Sequence, residues 1–262
     1  MAQAGPKLAS QGRNTTADRT ADVLLLFDDR RPVLSAAEVS RLLGMTRSTT
    51  YRYLQTLRSY GLVEEDEVRG GFRLGPRVYQ LARVARQGLG LPEIAMPFMR
   101  DLSQKTGEAV LLTRRWGAMV VCVERVESTQ AVRLSYDRGM AHGAHAGASA
   151  KILLAFAEAD EIERILSGPL LRYNERTEMD PTTLRAQLRQ IREQGYAVTD
   201  GEVDEGVRGI GAPIFRPDGR IAAGLSVCGP TFRLEDSLMP AIVRQVREAA
   251  EAITRRLREL DS

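Results

Sequence analysis

Between Thr46 and Gly61 the chain reads TRSTTYRYLQTLRSYG, a polar, basic and hydroxyl-rich run. Arginine and glutamine make paired hydrogen bonds to guanine and adenine edges in a major groove, so Arg52 and Gln55 are candidates for base reading. Arg47, Ser48 and Thr49 stand where a helix would begin, and cations, hydroxyls and free amides at the positive end of a helix suit phosphate oxygens. Placed at steps of about 100°, Thr50, Tyr53, Leu54 and Leu57 share one side of that helix, with Ser48, Arg52, Gln55 and Ser59 on the other. From Val39 to Val63 there is no Asp or Glu, whereas Arg41, Arg47, Arg52 and Arg58 are all present. Unopposed positive charge of this kind attracts a phosphate backbone. Taken alone the pattern also describes a solvated basic helix, and its neighbours decide between the two readings.

Other constellations fit chemistry less well. His142 and His145 lie three apart, but no carboxylate or thiolate follows at a ligand spacing, which argues against a metal. Asp200 and Glu202 have the look of a catalytic carboxylate pair, and alternation would place them on one strand face, yet a loop and capping role suits them better. Gly206, Gly209 and Gly211 are wrongly spaced for a dinucleotide fingerprint and precede no helix. With no nucleophile, base and orienting group in evidence, the reading is a non-enzyme without cofactor or metal.

The elements that must hold the basic helix can be read on either side of it. Ala21, Leu24 and Leu25, with Val23 or Phe27, recur at helical spacing from Asp18 and stop before Pro32. Ser35 precedes AAEVSRLLG with Glu38 three residues on, a capping box, and Gly44 stops that second helix. Thr46 caps the third after a very short turn, as a helix-turn-helix requires. Gly61 ends it. Leu62 and Val63, the acidic run Glu64 to Glu67, and then Gly70 to Leu74 form two short strands with a glycine-bearing turn. This hairpin reads as a wing whose Arg69 and Arg73 can meet phosphate, and its acidic run as a solvated face. The order of helices and hairpin makes a winged helix-turn-helix, which favours DNA over a bare basic helix.

Beyond Pro76, Val78, Leu81, Ala82 and Ala85 share a helical face, with Arg77, Arg83 and Arg86 outside it, which suits a linker helix. A further helix opens at Pro92 and runs to Gly107. These two helices can separate two modules and supply a dimer surface. Ala109 to Arg114, Met119 to Arg125 and Ala131 to Ser135 then read as strands. Ala148 to Ala157, Glu158 to Leu166 and Pro181 to Gln194 read as helices; Tyr196 to Thr199, Gly211 to Phe215 and Arg220 to Cys228 return to strand, with a turn at Pro217 to Gly219. A long helix follows from Leu234 to about Leu260. The mixture indicates an α+β domain with a central antiparallel sheet. The expected division is a mobile tail over 1–16, the winged helix over 17–75, the linker helix over 76–91 and the second domain over 92–262.

Composition sets the limits. A length of 262 residues suits two domains, and 43% hydrophobic with 27% charged residues is ordinary for a globular protein. A net charge of +3 is weak evidence for nucleic acid, so the local clustering carries that argument. Aromatic residues at 5% disfavour a stacking platform for single strands. Cys122 and Cys228 are far apart and make no CxxC, against a disulfide framework or a thiolate zinc site and consistent with a reducing cytoplasm. No apolar signal core or membrane span is apparent.

Together these pieces resemble the IclR family of bacterial transcription regulators over nearly the whole chain. The resemblance rests on S-T-x-x-R-x-L-x-T-L from Ser48 to Leu57, F-R-L-G at Phe72 to Gly75 and H-A-x-x-x-x-K-x-x-L-A at His145 to Ala155. It extends to G-Y at Gly195 and Tyr196, D-x-E-x-x-x-G-x-x-x-I-x-A-P-I from Asp200 to Ile214, and L-S-V-x-G-P from Leu225 to Pro230. It implies a winged-helix DNA-binding domain, a linker helix and a GAF-like effector-binding domain, acting as a homodimer or homotetramer on palindromic double-stranded operators, as repressor or activator. The DNA-contacting set becomes Arg47, Ser48, Thr49, Tyr51, Arg52, Gln55, Arg69 and Arg73. The implied effector, a small organic or aromatic acid, falls to Ala148 and Ser149 in a loop before a helix, Asp200, Gly209 in the next loop, and Ser226 and Cys228 on one strand face. Some members carry Gly-Ala in place of Ala148 and Ser149, and a bulkier residue near Gly209. Read without the family pattern, Ser226 and Cys228 are small core fillers. The alternative function is an enzyme that uses its N-terminal helices only to dimerise.

Overall fold

The computed structural model describes residues 15–28, 30–87, 90–131 and 136–261. Most of the expected tail, and the expected strand at Ala131 to Ser135 beyond its first residue, lie outside them. The chain divides into two compact units, 1–89 and 90–262.

In the first unit, α1 (Thr16–Leu24) starts at a capping box between Thr15 and Asp18, two residues earlier than the apolar spacing indicates. A short strand absent from the sequence reading, β1 (Val33–Leu34), leads to α2 (Ala36–Leu43). Ser35 and Glu38 satisfy each other's backbone N–H at the start of α2, and Gly44, at φ 63°, ends it in the left-handed region that glycine enters without cost. Thr46 then caps α3 (Arg47–Ser59). The wing is β2 (Val63–Asp66) and β3 (Gly71–Leu74), and β3 lies between β1 and β2 in a three-stranded antiparallel sheet. Val23, Leu34, Val39, Tyr53, Leu54, Leu57, Val63 and Phe72 form one core, so every element contributes to fixing α3. α4 (Pro76–Gln87) follows, with Leu81 and Val84 half exposed and Tyr79 more so.

The second unit opens with α5 (Leu91–Thr106) and builds a six-stranded antiparallel sheet. Its strands are β4 (Ala109–Trp116), β5 (Met119–Val126), β6 (Ala141–Gly143), β7 (Ala197–Asp200), β8 (Val207–Phe215) and β9 (Ile221–Pro230), in the spatial order β6-β5-β4-β9-β8-β7. Between β6 and β7 run α6 (Ala148–Ala155), α7 (Ala159–Leu166) and α8 (Pro181–Gln194). The chain closes with α9 (Met239–Asp261), which begins later than its apolar spacing suggests because a single 3-10 turn occupies Asp236–Leu238.

Alternation sorts the sheet into two faces. Val110, Leu112, Ile210, Ala212, Ile214, Leu225 and Val227 pack against α5 and α9. The opposite face is narrow and small: Gly209 pairs with Cys228, Gly211 with Ser226 and Thr113 with Gly224. α6 lies over these small residues, every one of its side chains buried.

Candidate nucleic-acid interface and ligand site

The exposed side of α3 is set by what its other side buries. Thr50, Tyr53, Leu54 and Leu57 are in the core, which leaves Arg47, Ser48, Tyr51 and Arg52 exposed and Thr49 and Gln55 at the boundary. Thr46 Oγ1 accepts the Thr49 amide at 3.3 Å and also contacts the Ser48 and Thr49 hydroxyls, gathering the hydroxyl groups at the helix start. Tyr51 stands edge-on to Phe72 with ring centroids 6.2 Å apart, tying the helix to the wing. The Arg52 guanidinium lies 5.8 Å from the Tyr53 ring centre.

The wing separates its two arginines. Arg69 is exposed in the turn between β2 and β3, where Asp66 accepts its backbone amide. Arg73 sits opposite Glu64 in the β2–β3 register, and the two form an ion pair at 2.8 Å. Arg58 is likewise paired with Glu65 at 2.6 Å. The acidic run is therefore not merely a solvated face, because Glu64 and Glu65 neutralise two of the arginines around α3.

In the second unit, Ala148 and Ser149 are the first two residues of α6, not part of the loop before it, and the preceding Gly147 is the cap. Gly209 also departs from its expected loop, lying inside β8. The reason is steric. A Cβ on Gly209 would stand 3.3 Å from the Cβ of Ala148, and one on Gly211 would stand 3.1 Å from the Ala148 carbonyl carbon. These are strand glycines that let a helix backbone approach. Ala148, Ser149, Gly209, Ser226 and Cys228 therefore converge. Ser226 is fully buried, with its hydroxyl 3.8 Å from Cys228 Sγ, whereas Cys228 keeps some accessible surface.

Asp200 does not join them. It pairs with Arg208, so both side chains leave the opposite face of the sheet from Gly209. Arg208 holds the Asp200 carboxylate at 2.7 Å and Arg176 holds it at 3.2 Å. Gly201, at φ 70°, breaks the alternation, so that Glu202 turns back toward α6. There Glu202 Oε2 accepts the Gly147 amide at 3.0 Å, while Oε1 meets the buried Lys151 ammonium, which also donates to Gln187 at 2.7 Å. The capping role expected for this acidic pair falls to Glu202.

Three further groups, Tyr136, His142 and Asp204, come to this place from separate segments. Tyr136 donates to Asp204 at 2.6 Å. His142 packs on Gly147, whose added Cβ would lie 3.4 Å from His142 Nε2. The Asp204 charge acts on Tyr136, His142 and Cys228 alike, which marks them as neighbours. Burial pushes the Cys228 thiol up to about 12, with the Cys122, Asp204 and Glu108 charges adding to it against the Ser226 hydrogen bond. Burial and the Glu124 charge raise Cys122 to about 11. Both stay thiols at neutral pH, a poor state for a nucleophile or a metal ligand.

Burial lowers His142 to about 4, against an opposing pull from Asp204 and with a small contribution from His145. An unfolded histidine takes its proton near pH 6.5, well before the folded one. Stability should therefore fall as pH drops from about 6.5 to about 4, where the unfolded state binds the extra proton. Urea midpoints over this range should fall less steeply for His142→Gln than for the parent; parallel curves would show that His142 is not buried in its neutral form.

A three-helix module with a wing, a recognition helix bearing arginines and hydroxyls, and an α+β unit whose α6 starts over the small residues of its sheet define a DNA-binding regulator with a ligand domain. Residues 16–67 match the IclR helix-turn-helix domain, and residues 84–255 match the C-terminal domain of the bacterial transcriptional regulator IclR. The chain belongs to the IclR family of bacterial transcriptional regulators. It is 34% identical over 238 residues to the HTH-type transcriptional regulator BhcR of Paracoccus denitrificans, covering 90% of this chain and 85% of that one. An IclR transcriptional regulator of Silicibacter sp. TM1040 superposes with a TM-score of 0.85 at 27% identity, over 93% of this chain and 96% of its own. An IclR homologue of Microbacterium hydrocarbonoxydans, solved in complex with 4-hydroxybenzoate, gives 0.78 at 30% identity, over 94% and 100%. No helix among the described residues is long and apolar enough to cross a membrane.

Proposed function

We propose that the chain binds a palindromic operator as a homodimer or homotetramer, and that a small organic or aromatic acid held at the start of α6 in the second unit controls this binding. The observation that carries the DNA half is the outward array of Arg47, Ser48, Tyr51 and Arg52 on a helix whose other side is locked into a core. In this reading Arg47, Ser48 and Thr49 hold phosphate, Arg52 and Gln55 reach base edges, and Tyr51 and Arg69 flank the duplex. Arg73 contributes less while Glu64 holds it. Residues 17–75 act as the DNA-binding domain, α4 within 76–91 as the linker and 92–262 as the effector domain. Exposed Tyr79, Leu81 and Val84 on α4 support a second copy of the chain as its partner. A chromosomal target places the protein in the cytoplasm.

The acid would meet the Ala148 and Ser149 amides at the start of α6, with Gly209, Ser226 and Cys228 below. Asp200, on the other face, would act at a distance through Arg208. The 4-hydroxybenzoate in the related structure supports an aromatic acid.

Arg52→Ala should weaken operator binding by about 1–3 kcal/mol, most strongly for sequences carrying the base it reads. Full retained affinity across a salt titration would remove Arg52 from the reading edge. For the ligand, a thermal-shift series of aromatic and aliphatic acids should find one that stabilises by about 2.7 kcal/mol at a hundredfold its Kd. Ser149→Val should abolish that shift while sparing operator binding; an undiminished shift would place the acid elsewhere.

A further inference from the structure

β7 pairs with β8 only as far as Ala197 opposite Gly211, so from Ala212 onward β8 is an edge of the sheet. A groove of about 540 Å³ runs along that edge, between the end of α8 and one face of α9. Its floor is apolar, made by Ala212, Pro213, Phe215 and Phe156, with the two phenylalanines edge to face at 5.2 Å. Its walls are basic: Arg192 from α8 and Arg247, Arg255 and Arg258 from α9, against the single carboxylate of Glu251. Arg192 lies over the Phe156 ring at 5.9 Å, and Glu251 lies 4.0 Å from Arg247. Arg192 and Arg255 thus border an apolar floor whose one lining carboxylate, Glu251, already lies beside Arg247.

We propose that this groove is a second ligand site, taking a small organic anion with an apolar body, a carboxylate on a ring or a short chain. The volume is within the range of small-molecule sites. The planar forks of Arg192 and Arg255 match a carboxylate in shape and charge. A strand from another chain fits poorly, because Pro213 offers the exposed edge no N–H and the Phe215 amide is already given to Thr254 at 3.1 Å. The site is separate from the one proposed over Ser226 and Cys228. It is framed by β8, α8 and α9, and does not touch Ala148 or Ser149.

Calorimetric titration of the full chain with benzoate tests this. The parent should bind benzoate at a site that Arg192→Glu with Arg255→Glu weakens at least tenfold, and that Ser149→Val leaves intact. Both arginines are exposed, so folding should survive the reversal. Arg255→Ser alone, weakening the site several-fold, provides a milder check. An unchanged benzoate isotherm in both variants overturns the proposal. So does inorganic phosphate competing as tightly as benzoate, which would mean a general anion patch with no use for the apolar floor. Loss of an assembly state in sedimentation of the charge-reversed chain, with benzoate binding intact, would make the groove an interface between copies. Loss of all benzoate binding in Ser149→Val, with the charge-reversed chain binding as the parent does, would put benzoate at the start of α6 and overturn the proposal as well.

Discussion

Lys151→Ala is expected to destabilise the second unit by about 3–5 kcal/mol, the range for leaving one partner of a buried ion pair uncompensated. Lys151 is 2% exposed, in the middle of an entirely buried helix. Its ammonium bridges Glu202, in the turn after β7, and Gln187 on α8. Glu202 spends its other oxygen on the Gly147 amide at the start of α6. Removing the lysine therefore strands a carboxylate, frees Gln187 and leaves a cavity, and each of these costs stability. The pair as a whole need not be strongly favourable. Lys151→Met with Glu202→Gln should recover much of the loss, since replacing both partners with neutral groups avoids an isolated charge. Urea unfolding of the two singles and the double closes the cycle, with a coupling above about 1 kcal/mol expected. Single variants within about 1 kcal/mol of the parent would mean that the ion pair does not order the start of α6. Because Ala148 and Ser149 sit one and two residues past Gly147, the same variants should also weaken binding of the acid.

What the sequence disclosed and what it hid follow from the range of the forces involved. Thr46, Ser35 with Glu38, and Gly44 were legible because caps and left-handed glycines act within a few residues. The buried side of α3 was legible because Thr50, Tyr53, Leu54 and Leu57 repeat at helical spacing. β1 was not, because two residues show no period and pair only with β3, far along the chain. Gly209 looked like a loop residue since glycine usually marks a break; its actual partner is a helix start sixty residues earlier. Asp200 shared its motif with Glu202, and only the left-handed Gly201 shows that the two point apart. Tyr136, His142 and Asp204 come together near Gly147 and Cys228 from different segments, so no spacing could gather them. The face of α4 carrying Leu81, Ala82 and Ala85 is apolar by its spacing, yet it stays exposed in the single chain. Periodicity reports that a face wants cover and is silent on what covers it.

The other large effect is expected at Gly211. A valine there should destabilise the second unit by about 1–3 kcal/mol and also loosen the acid site, because the new side chain meets backbone that cannot rotate away. Its Cβ would lie 3.1 Å from the Ala148 carbonyl carbon, 3.2 Å from the Ala148 oxygen and 3.2 Å from the Ser149 nitrogen. The two outer methyl groups have no space in that gap, so either α6 lifts from the sheet or β8 bends. Lifting α6 separates the Ala148 and Ser149 amides from Ser226, which pairs directly with Gly211. Strand propensity pulls the other way, since valine suits a strand better than glycine by up to about 1 kcal/mol. Three tight backbone contacts at the Cβ, with the valine methyls still to be placed beyond it, outweigh that preference, which is why a central strand carries a glycine here. A Cβ at Gly209 would meet mainly side-chain atoms, the Ala148 Cβ and the Thr199 hydroxyl, both at 3.3 Å, so Gly209→Ala should be milder. Thermal melts of the two variants with and without the stabilising acid separate the effects. Gly211→Val should lower the melting temperature and flatten the acid-induced rise, Gly209→Ala should do less of both, and a parent-like Gly211→Val would mean that α6 does not rest on β8.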